Sequence, residues 1–328
     1  MSKIHAKIIG LGKYLPERVL TNADLEKMVE TSDEWITKRV GVKERHISDE
    51  HTFASDLAVR AAENALKDAG MAAEELDLII AASVSPDMYT PSISCLVQKQ
   101  IGASKAAAFD VNAACPGFIF ALTTATQFIE NGMYRNILVI GADTLSKITE
   151  YKDRSTCVLF GDGAGAAVVQ ATEEDTGVRS CYLCADGENG DCLTIPGLRY
   201  DEADQERRPF GNPHTIWMDG GVVFKFAVKM MDASTRRVVE DAGKTLDDIK
   251  LVVPHQANLR IIDGARKRLG IPEEKMFANI EKYGNMSAAC IPIALCEAVE
   301  QGRAGKGDLV VLVSMGGGLT WGGILVEL

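Results

Sequence analysis

"KDAGMAAEELDLIIAA", Lys67 to Ala82, and "EDAGKTLDDIKLVVPH", Glu240 to His255, stand 173 residues apart and follow one pattern. Each reads as a helix end, a glycine stop, an acidic turn and a strand rich in Leu, Ile and Val. The offset recurs without a gap. "NAACPGFIFAL" from Asn112 lies against "NMSAACIPIAL" from Asn285, and "GMYRNILVIG" from Gly132 against "GKGDLVVLVS" from Gly305, again 173 apart. Three registers in step mark an internal duplication. Its seam falls near "TEEDTG", Thr172 to Gly177, giving halves of 1–174 and 175–328.

Each half alternates strand and helix, which predicts mostly parallel pairing and sheets covered by helices. The charge-free apolar segments after Asn112 and Asn285 read as helices buried between layers. The expected architecture is therefore layered α/β, with two related halves packed face to face. The polar stretch "ADGENGDCLTIPGLRYDEADQERRPFGNPHT", Ala185 to Thr215, breaks the pattern as a long excursion over the surface or toward an entrance. "FGDGAGAA", Phe160 to Ala167, fits a loose dinucleotide-loop pattern, but "AVVQA" follows as strand where that motif needs a helix. Its glycines are expected to make a tight turn instead.

A net charge of −11 argues against a broad nucleic-acid surface. The opening "MSKIHAKIIGLG" does not read as a secretory leader, since its apolar part is quickly interrupted. Val111–Ile129 and Leu309–Val326 approach bilayer-spanning length. The first carries Asn112, Cys115, Gln127 and three threonines, and the second five glycines, so neither is expected to span. Eight cysteines in a long chain without a leader point to reduced thiols in a cytoplasm. "CYLC", Cys181 to Cys184, lacks a second pair at matching spacing and alternates like a strand, so it reads as buried structural thiols and no metal site is expected.

Cys115 follows a strand through "AAFDV", with Pro116 next. Proline suits the first helical position, which puts Cys115 at the cap, where unpaired amides favour thiolate over thiol. The bland alternative is a small residue packed in a core. "LVVPHQANLR" ends a strand with His255, whose counterpart in the first half is Ala82, so the imidazole is specific to one half. Asn285 stands opposite Asn112. All three candidates come from strand ends or the loops beyond them, where open α/β sheets bind ligands. A histidine and an amide near a thiolate offer proton transfer and oxygen stabilisation.

"NAACPGF", "PHQANLRII", "YGNMSAACIPIAL" and "GGGLTWG" closely resemble the β-ketoacyl-acyl carrier protein synthase III enzymes of the thiolase superfamily. "TSDEWITKRVGVKERH" and "FGDGAGAAVV" also fit, and the resemblance runs from about Ile8 to the C-terminus. It implies a thiolase-like α-β-α-β-α sandwich and a homodimer. It also implies an acyltransferase that condenses an acyl-coenzyme A primer with malonyl-acyl carrier protein, initiating fatty acid synthesis. Cys115 would hold the acyl group, while His255 and Asn285 would hydrogen-bond the malonyl thioester oxygen. The backbone amides of Cys115 and Gly317 would form the oxyanion hole. Coenzyme A, a substrate rather than a cofactor, would meet Trp35, Arg39, Arg154 and Asn258. Arg260, Arg266, Lys267 and Arg268, on a helix predicted after His255, would offer a basic face for an acidic carrier protein.

The residue before "PS" borders the acyl pocket across the dimer in the family. Here it is Thr90, which leaves room for primers longer than acetyl. Met286, Cys290 and Met315 depart from common family usage without removing a catalytic group. A biosynthetic thiolase would want a second cysteine near the C-terminus, and the last one is Cys296. A specialised polyketide starter-unit enzyme or acyltransferase of the same superfamily is the alternative reading.

Overall fold

The computed structural model describes residues 4–328. The first half runs β1 (His5–Tyr14), β2 (Val19–Thr21), α1 (Asn22–Leu25), α2 (Asp33–Arg39), β3 (Glu44–His46), α3 (Ala54–Ala69), β4 (Leu78–Ala82), α4 (Ile93–Ile101) and β5 (Ala107–Val111). It continues with α5 (Gly117–Glu130), β6 (Asn136–Thr144), α6 (Arg154–Cys157) and β7 (Asp162–Thr172). The second half opens with β8 (Gly177–Ala185), β9 (Leu193–Thr194), α7 (Glu202–Arg207), β10 (Trp217–Met218) and α8 (Gly220–Asp241). Then come β11 (Leu251–Pro254), α9 (Leu259–Leu269), α10 (Ile280–Tyr283), α11 (Cys290–Glu300), β12 (Leu309–Gly316) and β13 (Thr320–Glu327).

Two sheets carry the molecule, ordered β1-β7-β6-β4-β5 and β11-β12-β13-β8. Helices α5 and α11 pack between them, α3 and α4 cover the outer face of the first, and α8 with α9 covers the second. This is the α-β-α-β-α sandwich. The central helices show why the layers exist: α5 is uncharged through its first three turns and α11 through its first two, and both bury residues all round, so apolar surface must meet them on two sides. Interior strand β4, "LIIAA", is buried on both faces for the same reason.

The 173-residue offset survives folding. β4 and β11, α5 and α11, and β6 and β12 each begin at corresponding positions. Pairing is less parallel than expected. β4 lies parallel to β5 and β6, and β11 to β12, but β7 runs antiparallel to β1 and β6, and β13 to β12 and β8. Three residues join β12 to β13, and so short a link can only reverse the chain. The counterpart of β5 is α10, with a lone Val252–Met276 bridge in place of a fifth paired strand.

"FGDGAGAA" needs correction too. Gly163 and Gly165 lie inside β7 and make no turn; a side chain at either would strike Met286 or Pro292, so their smallness lets α11 lie against the sheet. Cys181 and Cys184 do lie on a strand, β8, but both are only half-buried, and their spacing puts them on opposite faces. Among the described residues no helix is long and apolar enough to cross a membrane.

Candidate active site

Sheet and helix ends converge on one cavity of about 1370 Å³, lined by Cys115, His255, Asn285 and Ser287 at its floor. Cys115 does not cap α5. The helix starts at Gly117 with Pro116 as its N-cap, one residue later than the sequence suggested. The chain enters through Ala114 at φ +51°, a turn that lifts the cysteine out of line. Behind it stands Gly316, where a Cβ would come within 2.8 Å of the Cys115 amide and 2.9 Å of its Cβ. Only glycine fits there.

The expected thiolate preference is not what the surroundings impose. Burial pushes the Cys115 thiol up to about 12, and the charge of Asp143 pushes the same way, while the Ser287 hydroxyl pulls against both. Burial of the sulfur outweighs the nearby helix end.

His255 is 1% exposed, and its backbone N–H is fixed to the Val313 carbonyl at 2.8 Å, which locks the end of β11 to β12. Burial pulls its pKa down to about 3, so the imidazole is neutral. Its Nδ1 has no hydrogen-bond partner and no contact with solvent. The next residue, Gln256, is fully buried and accepts the amides of Asn279 and Ile280 at 3.0 and 3.2 Å, tying the His255 loop to the approach of Asn285.

Asn285 is held through its backbone by Leu159 and Gly161, both at 2.9 Å. Its Oδ1 accepts the Ser287 amide at 2.8 Å. With that oxygen committed, Nδ2 is the atom the side chain offers to the cavity. Cys115 and Gly317 both line the cavity, and neither backbone amide donates to another residue among those described. Two contacts shape the glycine turn: the Thr320 hydroxyl lies 2.7 Å from the carbonyls of Ala113 and Gly317.

Toward the mouth the lining includes Trp35, Arg39, Asn258 and Arg260. The Arg154 guanidinium lies 5.0 Å from the centre of the Trp35 ring and donates to the Glu30 carbonyl at 3.1 Å. Asn258 caps α9 by accepting the Arg260 amide at 2.9 Å and ties it to α2 through the Arg39 carbonyl at 3.2 Å. Of the four basic residues on α9, Arg266 and Lys267 are paired with Asp263, and Arg268 with Asp232. Arg260 has no acidic partner among the described residues and rests over Phe224 of α8. Lys225 of α8, which sequence reasoning missed, is exposed at the same rim. Thr90 is exposed and lies outside the lining of its own chain's cavity.

The excursion 185–215 forms a wall of the cavity. Strands β9 and β10 pair, and buried Arg208 binds the carbonyls of Thr194 and Thr215, both at 3.0 Å, so Leu193, Ile195, Ile216 and Met218 face inward.

The family model for 3-oxoacyl-acyl-carrier-protein synthase III matches residues 109–187, and the one for the C-terminal part of that synthase matches 239–328. A β-ketoacyl-acyl-carrier-protein synthase III of Caldanaerobacter subterraneus subsp. tengcongensis is 54% identical over 327 residues, covering 99% of this chain and 98% of that one. The chain belongs to the synthase III family. A solved synthase III structure from Aquifex aeolicus superposes with a TM-score of 0.92 at 49% identity, covering 98% of this chain and 100% of that one. The priming β-ketosynthase of the R1128 polyketide pathway shares the fold equally well, TM-score 0.92, but at 32% identity, over 99% of this chain and 97% of that one.

Asp143 and Ser287 are the other residues sequence reasoning missed. Asp143 is buried and accepts Ser83 Oγ, the amides of Val84 and Ser85, and Ser85 Oγ on one oxygen. Its other oxygen takes the Ala288 amide at 3.1 Å. The duplication sets Ser287 opposite Ala114, one residue before the counterpart of Cys115, but no residue pattern marks it there.

Proposed function

We infer that the chain condenses an acyl-coenzyme A primer with malonyl-acyl carrier protein, giving a 3-oxoacyl-carrier protein that starts fatty acid synthesis. One observation supports this above the rest: Cys115, His255 and Asn285, from two copies of one unit, border a single cavity. In the first half-reaction the Cys115 sulfur forms a bond to the primer carbonyl and the coenzyme A sulfur leaves with the thiol proton. In the second, the malonyl group loses carbon dioxide and its carbanion attacks the acyl-Cys115 carbonyl, expelling the Cys115 thiolate, which takes a proton from water to restore the thiol. The atoms balance with the coenzyme A thioester as substrate and no cofactor.

A neutral imidazole suits the second step. With Nδ1 buried and without an acceptor, the single proton is assigned to Nε2, ready to donate to the thioester oxygen beside Asn285 Nδ2. The unpaired amides of Cys115 and Gly317 supply the oxyanion hole, since donors fixed beforehand need no reorganisation as charge develops. Trp35, Arg39, Arg154 and Asn258 serve coenzyme A, with Arg154 moving off the Trp35 ring to admit the adenine between them. Arg260, Lys225 and Lys267 form the carrier-protein face, with Arg266 and Arg268 holding its helix in place. The enzyme works in the cytoplasm as a homodimer. Leu145, Ile148, Phe160 and Met315 give the cavity apolar walls, and with Thr90 as small as it is we assign primers longer than acetyl.

Incubation with radiolabelled acyl-coenzyme A followed by peptide mapping tests the reading. The label should be found on the peptide carrying Cys115 and be absent from a Cys115→Ala variant. Label on another residue, or none, rejects it.

A further inference from the structure

Asn112 and Asn285 hold the same position in the two halves, 173 residues apart, and both open the same turn. Each side-chain oxygen accepts the amide two residues on: Asn112 Oδ1 that of Ala114 at 3.3 Å, Asn285 Oδ1 that of Ser287 at 2.8 Å. Ala114 and Ser287 then turn alike, at φ +51° and +49°. The copies part five residues after the asparagine. The first half has Gly117 there, with no side chain to give, and the second has Cys290, the opening residue of α11. Cys290 Sγ lies 3.8 Å from Asn285 Oδ1, placed to donate its hydrogen, and accepts the Met286 amide at 3.1 Å.

Two donors therefore converge on the oxygen of Asn285. A single hydrogen bond leaves an amide free to rock about it, whereas a second from another element sets its plane. Turned over, the side-chain amide would face the Ser287 amide donor against donor. Cys290 is fully buried among Met286, Ala289 and Ile293 and does not line the cavity, so it reaches the chemistry only through Asn285. Burial raises the Cys290 thiol well above the ordinary thiol range, and the hydrogen stays on the sulfur.

We propose that Cys290 is a positioning residue, whose thiol holds Asn285 Oδ1 so that Nδ2 stays aimed at the malonyl thioester oxygen. This rests on Asn285 serving that oxygen in the proposed condensation. A thiol is a weak donor, but a small misalignment of a group that must meet developing charge is enough to slow a step. Acylation of Cys115 does not call on Asn285, so the thiol should matter to one half-reaction and not the other.

The experiment compares the wild type with Cys290→Ala, Cys290→Ser, Asn285→Ala and the double alanine variant. Two rates are read: acylation of Cys115 by radiolabelled acyl-coenzyme A, and release of labelled carbon dioxide from malonyl-carrier protein. Cys290→Ala should release carbon dioxide about fivefold more slowly, with the KM for malonyl-carrier protein and the acylation rate unchanged. Cys290→Ser keeps a donor and should match the wild type. In the Asn285→Ala background, Cys290→Ala should slow nothing further, because no amide remains to be aimed. Release at the wild-type rate in Cys290→Ala, a serine variant no faster than the alanine one, or equal slowing of acylation overturns the inference and leaves the thiol a packing group. If Asn285→Ala alone leaves release unchanged, the reading of Asn285 fails, and this inference with it.

Discussion

His255 carries a measurable signature of its burial. Its folded pKa, about 3, lies well below the ordinary 6.5. Between those values the unfolded chain takes up a proton that the folded chain refuses. Stability is therefore full above about pH 6.5 and falls as pH drops toward 3. From pH 7 to pH 5 this one group should cost about 2 kcal/mol. His255→Gln cannot titrate, so its urea-unfolding free energy should fall that much less than the wild type's over the same interval. Equal slopes would mean that the imidazole protonates in place. The identity of this residue was legible because the duplication sets His255 against Ala82, and an ionisable group present in only one copy stands out. Asp143 and Ser287 were not legible in that way. The first acts through contacts between segments far apart in sequence, and the second through a positive φ that no residue pattern announces.

At the scale of elements, α8 and α9 pack side by side, with Val228 of one against Gly264 of the other, and their basic side chains share one outer face. The sequence placed the basic run on a helix after His255, and α9 is that helix, capped by Asn258 and stopped at Gly270. It could not show that Asp263 and Asp232 already answer three of the four charges, nor that α8 adds Lys225 and Lys229. Lys229 and Lys267 are exposed and lie outside the cavity lining. Reversing both to Glu should raise the KM for malonyl-carrier protein several-fold. The rate of Cys115 acylation by acyl-coenzyme A should not change, and the KM difference should shrink as salt is added. A KM equal to wild type at low salt would remove this face from the docking surface. Paired elements were read in register because local pattern decides them; the antiparallel strands were missed because strand direction depends on the length and path of each connection.

For the whole molecule, the question is what covers the β5 edge. The five-stranded sheet ends there, with β5 bonded to β4 on one side only. Its sequence "AAFDV" has no lysine, no proline and no bulge, and the carboxylate of its one charged residue, Asp110, is taken up by the Ile93 and Ser94 amides. Nearby apolar surface is also uncovered, since Tyr89 is 76% and Leu198 91% exposed, and the two segments adjoin, with Tyr89 Oη 3.8 Å from where a Cβ on Gly197 would stand. A second copy related by a twofold axis would pair β5 with β5, join the two sheets into one, and bring each Thr90 toward its partner. Light scattering at assay concentration should then give twice the chain mass of 35.4 kDa. Ala107 is exposed at the start of β5, so Ala107→Glu leaves the isolated chain intact while setting two like charges at the proposed seam. That variant should shift toward 35.4 kDa, most strongly at low salt. A wild type that scatters as a single chain, or a variant that keeps the doubled mass, would mean that this edge is bare or that the copies meet elsewhere, and Thr90 would then have no pocket to border.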